Sequence, residues 1–152
     1  GTLLSLSGER YKKLISINRV VSKTIINHVE NTYPEEGCGG LIGTDSRIRK
    51  VEEAVPLRNR ITESRHNRYV IDAQDILLVE NNAKKKGLDL LGFFHSHPNA
   101  PANPSVFDLE NSWPWYSYII ISVKEGKATD KISWRLKNDR SKFDMEELLE
   151  IE

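Results

Sequence analysis

The chain has 152 residues, of which 38% are hydrophobic and 29% charged, a size and balance that suit one globular domain with its own core. Lys plus Arg and Asp plus Glu each number 22, so the formal net charge is zero and a broad basic face for nucleic acid is not expected. No apolar run approaches the roughly 20 residues of a membrane span, and with Cys38 as the single cysteine no internal disulfide forms, so a reducing, cytoplasmic setting is the simpler expectation.

Residues 1–12, within "GTLLSLSGERYKK", lack the charged-then-apolar order of a signal peptide. They are expected to be an N-terminal extension, part of it of non-native origin, ahead of a domain spanning 13–152. "KLISIN", 13–18, alternates weakly and reads as a strand. In "RVVSKTIINHVENTYP", Val21, Ile25 and Val29 recur every four residues, so a helix is expected, capped by Asn18 or Ser22 and stopped by Pro34. "CGGLIG", 38–43, reads as a buried, glycine-rich strand that needs close backbone approach. "KVEEAVPL", 50–57, is a strand, 58–67 a polar loop, and 68–72 a short strand or the lead-in to a helix.

"DAQDILLVENNAKKKG" is expected to be the second helix, with Asp72 as its cap and Gly87 as its stop. Ala73, Ile76, Leu77 and Ala83 form its expected apolar face. Its basic end, 84–87, reads as a solvated helix terminus. Strands follow at 88–97 and 115–123, then a turn at "EGKATD" and a hairpin partner at 131–136. The tail "SKFDMEELLEIE" is expected to form a short helix. The sum is a single α/β domain with a mixed central β-sheet flanked by two main helices.

The chemistry gathers in "LLGFFHSHPNAPANPSVFDLENSW", 90–113. Side chains two apart on a strand share a face, so His95 and His97 project together. Two imidazoles, one carboxylate and an open position make a catalytic zinc set, and Asp108 is the candidate carboxylate. Ser105 and Asp108 also satisfy the spacing of a capping box at the start of a helix. A base is needed as well, and Glu35 or Glu36 in "YPEEGCGGLIG" is available. Such glutamates are otherwise ordinary solvated turn residues. His28 and His66 have no ligand partner in sequence and are left out of the site.

Together, "PEEGCGGLIG" and "GFFHSHPNAPANPSVFD" resemble the JAMM/MPN-plus metalloprotease domain over roughly 13–150. The resemblance rests on Glu36, His95, Ser96, His97, Pro98, Ser105 and Asp108, and the Glu-x-Cys-Gly context selects Glu36 over Glu35. It implies the MPN fold, an arrangement like that of cytidine deaminases, and a zinc-dependent (iso)peptidase. His95, His97 and Asp108 would bind Zn2+ with a water as fourth ligand, and Glu36 would act as the base. Ser105 would donate to the oxyanion, although capping competes for the same hydroxyl. Ser96 would face away from the metal, in a supporting or packing role. Pro98 would fix the turn, and Gly92 would let the strand pack closely.

The family's substrates imply a ubiquitin-like protein with an amide at its flexible C-terminal tail. The six residues between Asp108 and a strand at 115 leave no room for the insertions of eukaryotic deubiquitinases. The chain therefore resembles the compact prokaryotic members, which are associated with small sulfur-carrier proteins. A tail would pair along a sheet edge. "WPWY", 113–116, is expected to pack in the core, with a substrate contact as the other account. The alternatives are a non-catalytic scaffold of the same fold, a DNA-repair-associated relative with a similar motif, and a cysteine hydrolase built on Cys38. Nothing in the sequence bears on oligomeric state.

Overall fold

The computed structural model describes residues 13–61 and 69–152, so the N-terminal extension and His66 lie outside the described residues. The element order is β1 (Leu14–Asn18), α1 (Arg19–Thr32), β2 (Cys38–Asp45), β3 (Arg49–Leu57) and α2 (Ala73–Lys85). It continues through β4 (Asp89–Pro98), α3 (Val106–Asn111), β5 (Ser117–Lys124), β6 (Lys127–Leu136) and β7 (Phe143–Ile151). The sheet order is β1-β3-β2-β4-β5-β6-β7, and β7 pairs back onto β1, so the mixed sheet closes on itself. β4 and β5 run parallel, as do β1 with β3 and β1 with β7, and the other pairs are antiparallel. Closure through β1 pairs only Arg49 and Lys50 of β3 on that side, so among the described residues 51–57 have no strand partner there.

The helices cover opposite faces. Asn18 caps α1, its Oδ1 accepting from Val21 N–H at 2.8 Å, which settles the choice against Ser22. Val21, Ile25 and Val29 then pack with Ile15, Ile17, Leu41, Phe94 and Ile119 in the larger core. Full burial of each such side chain contributes about 1.5–3 kcal/mol. On the other face, Val79 and Ala83 of α2 meet Ile42. The expected apolar face of α2 is rotated from the observed one. Leu77 is 55% exposed, while Val79 takes its place between Ile76 and Ala83 at helical spacing.

The tail forms a strand rather than a helix. Its Glu- and Leu-rich composition favours a helix locally, but β6 and β1 present unpaired backbone on either side of it. Glu146, buried within β7, accepts hydrogen bonds from Ser133 Oγ–H at 2.8 Å and Arg135 at 3.2 Å. β5 begins at Ser117, so residues 113–116 lie outside it. The turn expected over "EGKATD" narrows to Glu125 and Gly126, both at positive φ, and Lys127–Asp130 belong to β6. Gly92 has the role expected of it: an added Cβ would overlap the Ser117 backbone of β5.

Candidate metal centre

The site forms where β4 ends. Along β4, Phe94 and Ser96 turn toward α1, while Phe93, His95 and His97 face the other way, following the two-residue period of a strand. After Pro98 the chain loops to Ser105, the N-cap of α3. Ser105 Oγ accepts from Asp108 N–H at 3.0 Å, and Asp108 Oδ2 accepts from Ser105 N–H at 2.9 Å. This reciprocal box points the Asp108 carboxylate back at the strand. Its oxygens lie 3.2 Å from His95 Nε2 and 3.1 Å from His97 Nε2, and the two Nε2 atoms are 3.2 Å apart.

That triangle has the size a small divalent ion requires. Tetrahedral ligands about 2.0–2.1 Å from an ion stand about 3.3 Å from one another. His97 Nδ1–H donates to Pro101 C=O at 2.9 Å, which leaves the Nε2 lone pair of the neutral ring aimed inward. Lone pairs and a carboxylate crowded together out of water call for a cation.

Glu36 completes the cluster from the turn between α1 and β2. Glu36, His95 and His97 each offer a ligand atom, all within 4.8 Å of one another. Glu36 is 4% exposed, and among the described residues its Oε1 has no hydrogen-bond partner. Two contacts hold it. Asn59 Nδ2–H donates to Glu36 C=O at 3.2 Å. The next residue, Gly37, donates its N–H to Ser96 Oγ at 2.8 Å, while Ser96 N–H donates to Gly37 C=O. Ser96 thus ties β4 to the segment carrying Glu36. Ser96→Ala is expected to destabilise the fold by about 1–3 kcal/mol, because Gly37 N–H would be left buried without a partner. Denaturant unfolding measures this.

Burial sets the electrostatics. It pushes the Glu36 carboxyl up to about 8; His97 opposes this and Asp108 adds to it. It pulls His95 down despite the neighbouring Asp108. At His97, burial is outweighed by the hydrogen bonds with Asp108 and Pro101, so its pKa is raised. Burial would likewise raise Asp108, but His95, His97 and Ser105 N–H hold it well below the usual carboxylate range. The Cys38 thiol is pushed up to about 12, mainly by burial, which removes the thiolate a cysteine hydrolase needs.

Among the residues singled out from sequence, Glu36, His95, His97, Ser105 and Asp108 come together. Ser96 supports them from the opposite face, and Pro98 ends β4. His28 stays apart, edge-on to Phe94. Tyr69 was not expected at the site, yet its ring stacks on His95. It also lines a groove of about 170 Å3 with Ile76, Phe93, Trp113 and Tyr118. Trp113 and Trp115 are stacked on each other and are 51% and 58% exposed, so they are not the core residues expected. Among the described residues, no helix is long and apolar enough to cross a membrane.

Comparison with known proteins agrees with this geometry. Residues 19–137 match the family described as prokaryotic homologs of the JAB domain. A desampylase of Haloferax volcanii is 39% identical over 97 residues, covering 63% of this chain and 68% of that protein. A probable TtuB-protein conjugate cleaving protease of Thermus thermophilus is 33% identical over 101 residues, covering 66% and 65%. The solution structure of a Desulfitobacterium hafniense protein superposes with a TM-score of 0.79 at 32% identity, covering 91% of this chain and 93% of the other.

Proposed function

Because the chain belongs to the prokaryotic JAB-domain family, we propose that it is a zinc-dependent (iso)peptidase acting on the C-terminal tail of a ubiquitin-like or sulfur-carrier protein. The observation that carries this reading is the convergence of His95, His97 and Asp108 at 3.1–3.2 Å, with the buried Glu36 beside them. The names of the Haloferax and Thermus relatives point to conjugates of small proteins as the substrate class.

His95 Nε2, His97 Nε2 and Asp108 would hold Zn2+. When bound, the ion would supply Lewis acidity and make water acidic enough to give up a proton near neutral pH. Glu36 takes the proton of the attacking water on its carboxylate and passes it to the departing amine nitrogen. In the metal-free site burial raises the Glu36 carboxyl to about 8; a bound cation would lower it, so that Glu36 is ionised to take the proton while still basic enough to hold it for delivery. Ser105 donates its O–H to the carbonyl oxygen as charge develops there. Capping does not compete with this use: the cap engages a lone pair of Ser105 Oγ, and the hydroxyl proton of this exposed residue stays available. The groove beside His95, with Trp113 on its wall and Trp115 next to it, receives the apolar residues of the tail.

The test is incubation of the zinc-loaded protein with ubiquitin-like proteins, one extended at its C-terminus through a peptide bond and one joined to a lysine amine. Mass spectrometry reads the products. Release of the free C-terminus is expected, lost on chelation and restored by Zn2+. Absence of cleavage of every such substrate by metal-loaded protein would overturn the proposal.

A further inference from the structure

The two imidazoles of the site are held in different ways. His97 has a hydrogen bond behind it, from Nδ1–H to Pro101 C=O at 2.9 Å. The loop carrying that carbonyl is pinned on both sides: Ser122 Oγ–H donates to Ala100 C=O at 2.6 Å, and Trp134 Nε1–H donates to Ala102 C=O at 2.9 Å. His95 is 1% exposed, and among the described residues its Nδ1 has no hydrogen-bond partner. Ligand imidazoles ordinarily donate this second N–H to a carboxylate, a carbonyl or water, which fixes the ring plane. The χ2 torsion of histidine is soft, so His95 needs another constraint.

Tyr69 provides one. Its ring centroid lies 4.2 Å from that of His95, with the planes 21° apart. The ring is carried on an anchored backbone: Val70 N–H donates to Asn59 Oδ1 at 3.0 Å, and Val70 C=O accepts from Arg60 N–H at 2.8 Å. Two residues further on, Asp72 caps α2, its carboxylate accepting from Gln74 N–H at 2.8 Å. The platform is therefore fixed to the segment that follows β3 and leads straight into the capped start of α2. Asn59 ties it to the base as well, since the same side chain donates to Glu36 C=O.

We infer that Tyr69 is a positioning residue for the metal centre, and that its ring face orients His95 as the Pro101 carbonyl orients His97. The inference rests on the reading of His95 as a metal ligand. The effect belongs to the flat ring, so phenylalanine replaces tyrosine and an aliphatic residue does not. The hydroxyl has no part in it.

Titration of the metal-free protein with Co2+, followed by its visible spectrum, tests this. Tyr69→Phe is expected to bind within about twofold of wild type with the same band positions, whereas Tyr69→Ala binds about tenfold more weakly with shifted bands. Tyr69→Leu, which keeps bulk without a flat face, behaves like Tyr69→Ala and takes its place if that variant does not fold. Leu78→Ala, on the exposed side of α2 and outside the groove, leaves affinity and spectrum unchanged, which separates the stack from a general effect of substitution on this helix. Wild-type affinity and spectrum in both Tyr69→Ala and Tyr69→Leu would overturn the inference, as would equal weakening in Tyr69→Phe. If wild-type protein takes up no Co2+, the metal reading itself fails, and this inference falls with it.

Discussion

Glu36→Gln is expected to slow amide hydrolysis by about 10²–10⁴-fold while leaving the metal content unchanged. Glutamine keeps the shape of the side chain and its place behind Gly37 but cannot accept a proton. Metal is retained because the triangle of 3.1–3.2 Å contacts is made by His95, His97 and Asp108 without Glu36. A second readout is independent of turnover. In the metal-free protein, burial raises the Glu36 pKa to about 8, against about 4.3 for an unfolded chain. A carboxyl whose pKa is raised on folding is fully compatible with the fold below the unfolded value, and costs stability as pH rises toward the folded value. The metal-free variant should therefore match wild type near pH 4 and exceed it by about 1–3 kcal/mol near pH 8. Denaturant unfolding at the two pH values measures the difference. Equal turnover in wild type and Glu36→Gln would remove Glu36 from the role of base.

Asp108→Asn is expected to weaken metal binding by more than the roughly 10–100-fold typical of an outer-shell change, and to abolish activity with it. Asp108 does two jobs: its carboxylate faces both imidazoles, and it also accepts from Ser105 N–H to close the capping box of α3. Asparagine retains an oxygen for the cap and loses the charge. Alanine loses both. Asp108→Asn should therefore release metal and, at neutral pH, also destabilise the metal-free fold, because the carboxylate, whose pKa His95 and His97 hold well below its usual range, contributes stability there. Asp108→Ala should release metal and in addition cost about 0.5–2 kcal/mol for the lost cap. Metal titration combined with unfolding of the metal-free forms separates the two contributions. Wild-type affinity in Asp108→Asn would show that the carboxylate serves only the helix.

Where short-range pattern decided the structure, the sequence could be read directly. His95 and His97 sit at strand spacing behind an apolar run, and Ser105 and Asp108 sit at cap spacing behind two prolines; both patterns act within a few residues. The tail strand escaped because its state is set by β1 and β6, which lie far away in sequence and supply its hydrogen bonds on both sides. The apolar face of α2 was misread because three consecutive large residues, Leu77 to Val79, leave the choice of face to what lies beneath. The role of Ser96 depends on a residue 59 positions away. Tyr69 carries no signal of its own, since its stack on His95 exists only once the segments around Asn59 and Asp72 are in place. The exposure of Trp113 and Trp115 reverses the usual rule for aromatic residues. It fits a surface that meets another protein, where tryptophan is enriched.

That His95, His97 and Asp108 share one divalent ion is tested most directly by stoichiometric metal analysis of the purified protein. One zinc per chain is predicted for wild type and for Glu36→Gln, with near-zero content in His97→Ala under the same purification. Equal metal in His97→Ala, or full cleavage by wild-type protein from which all metal has been stripped, would contradict it.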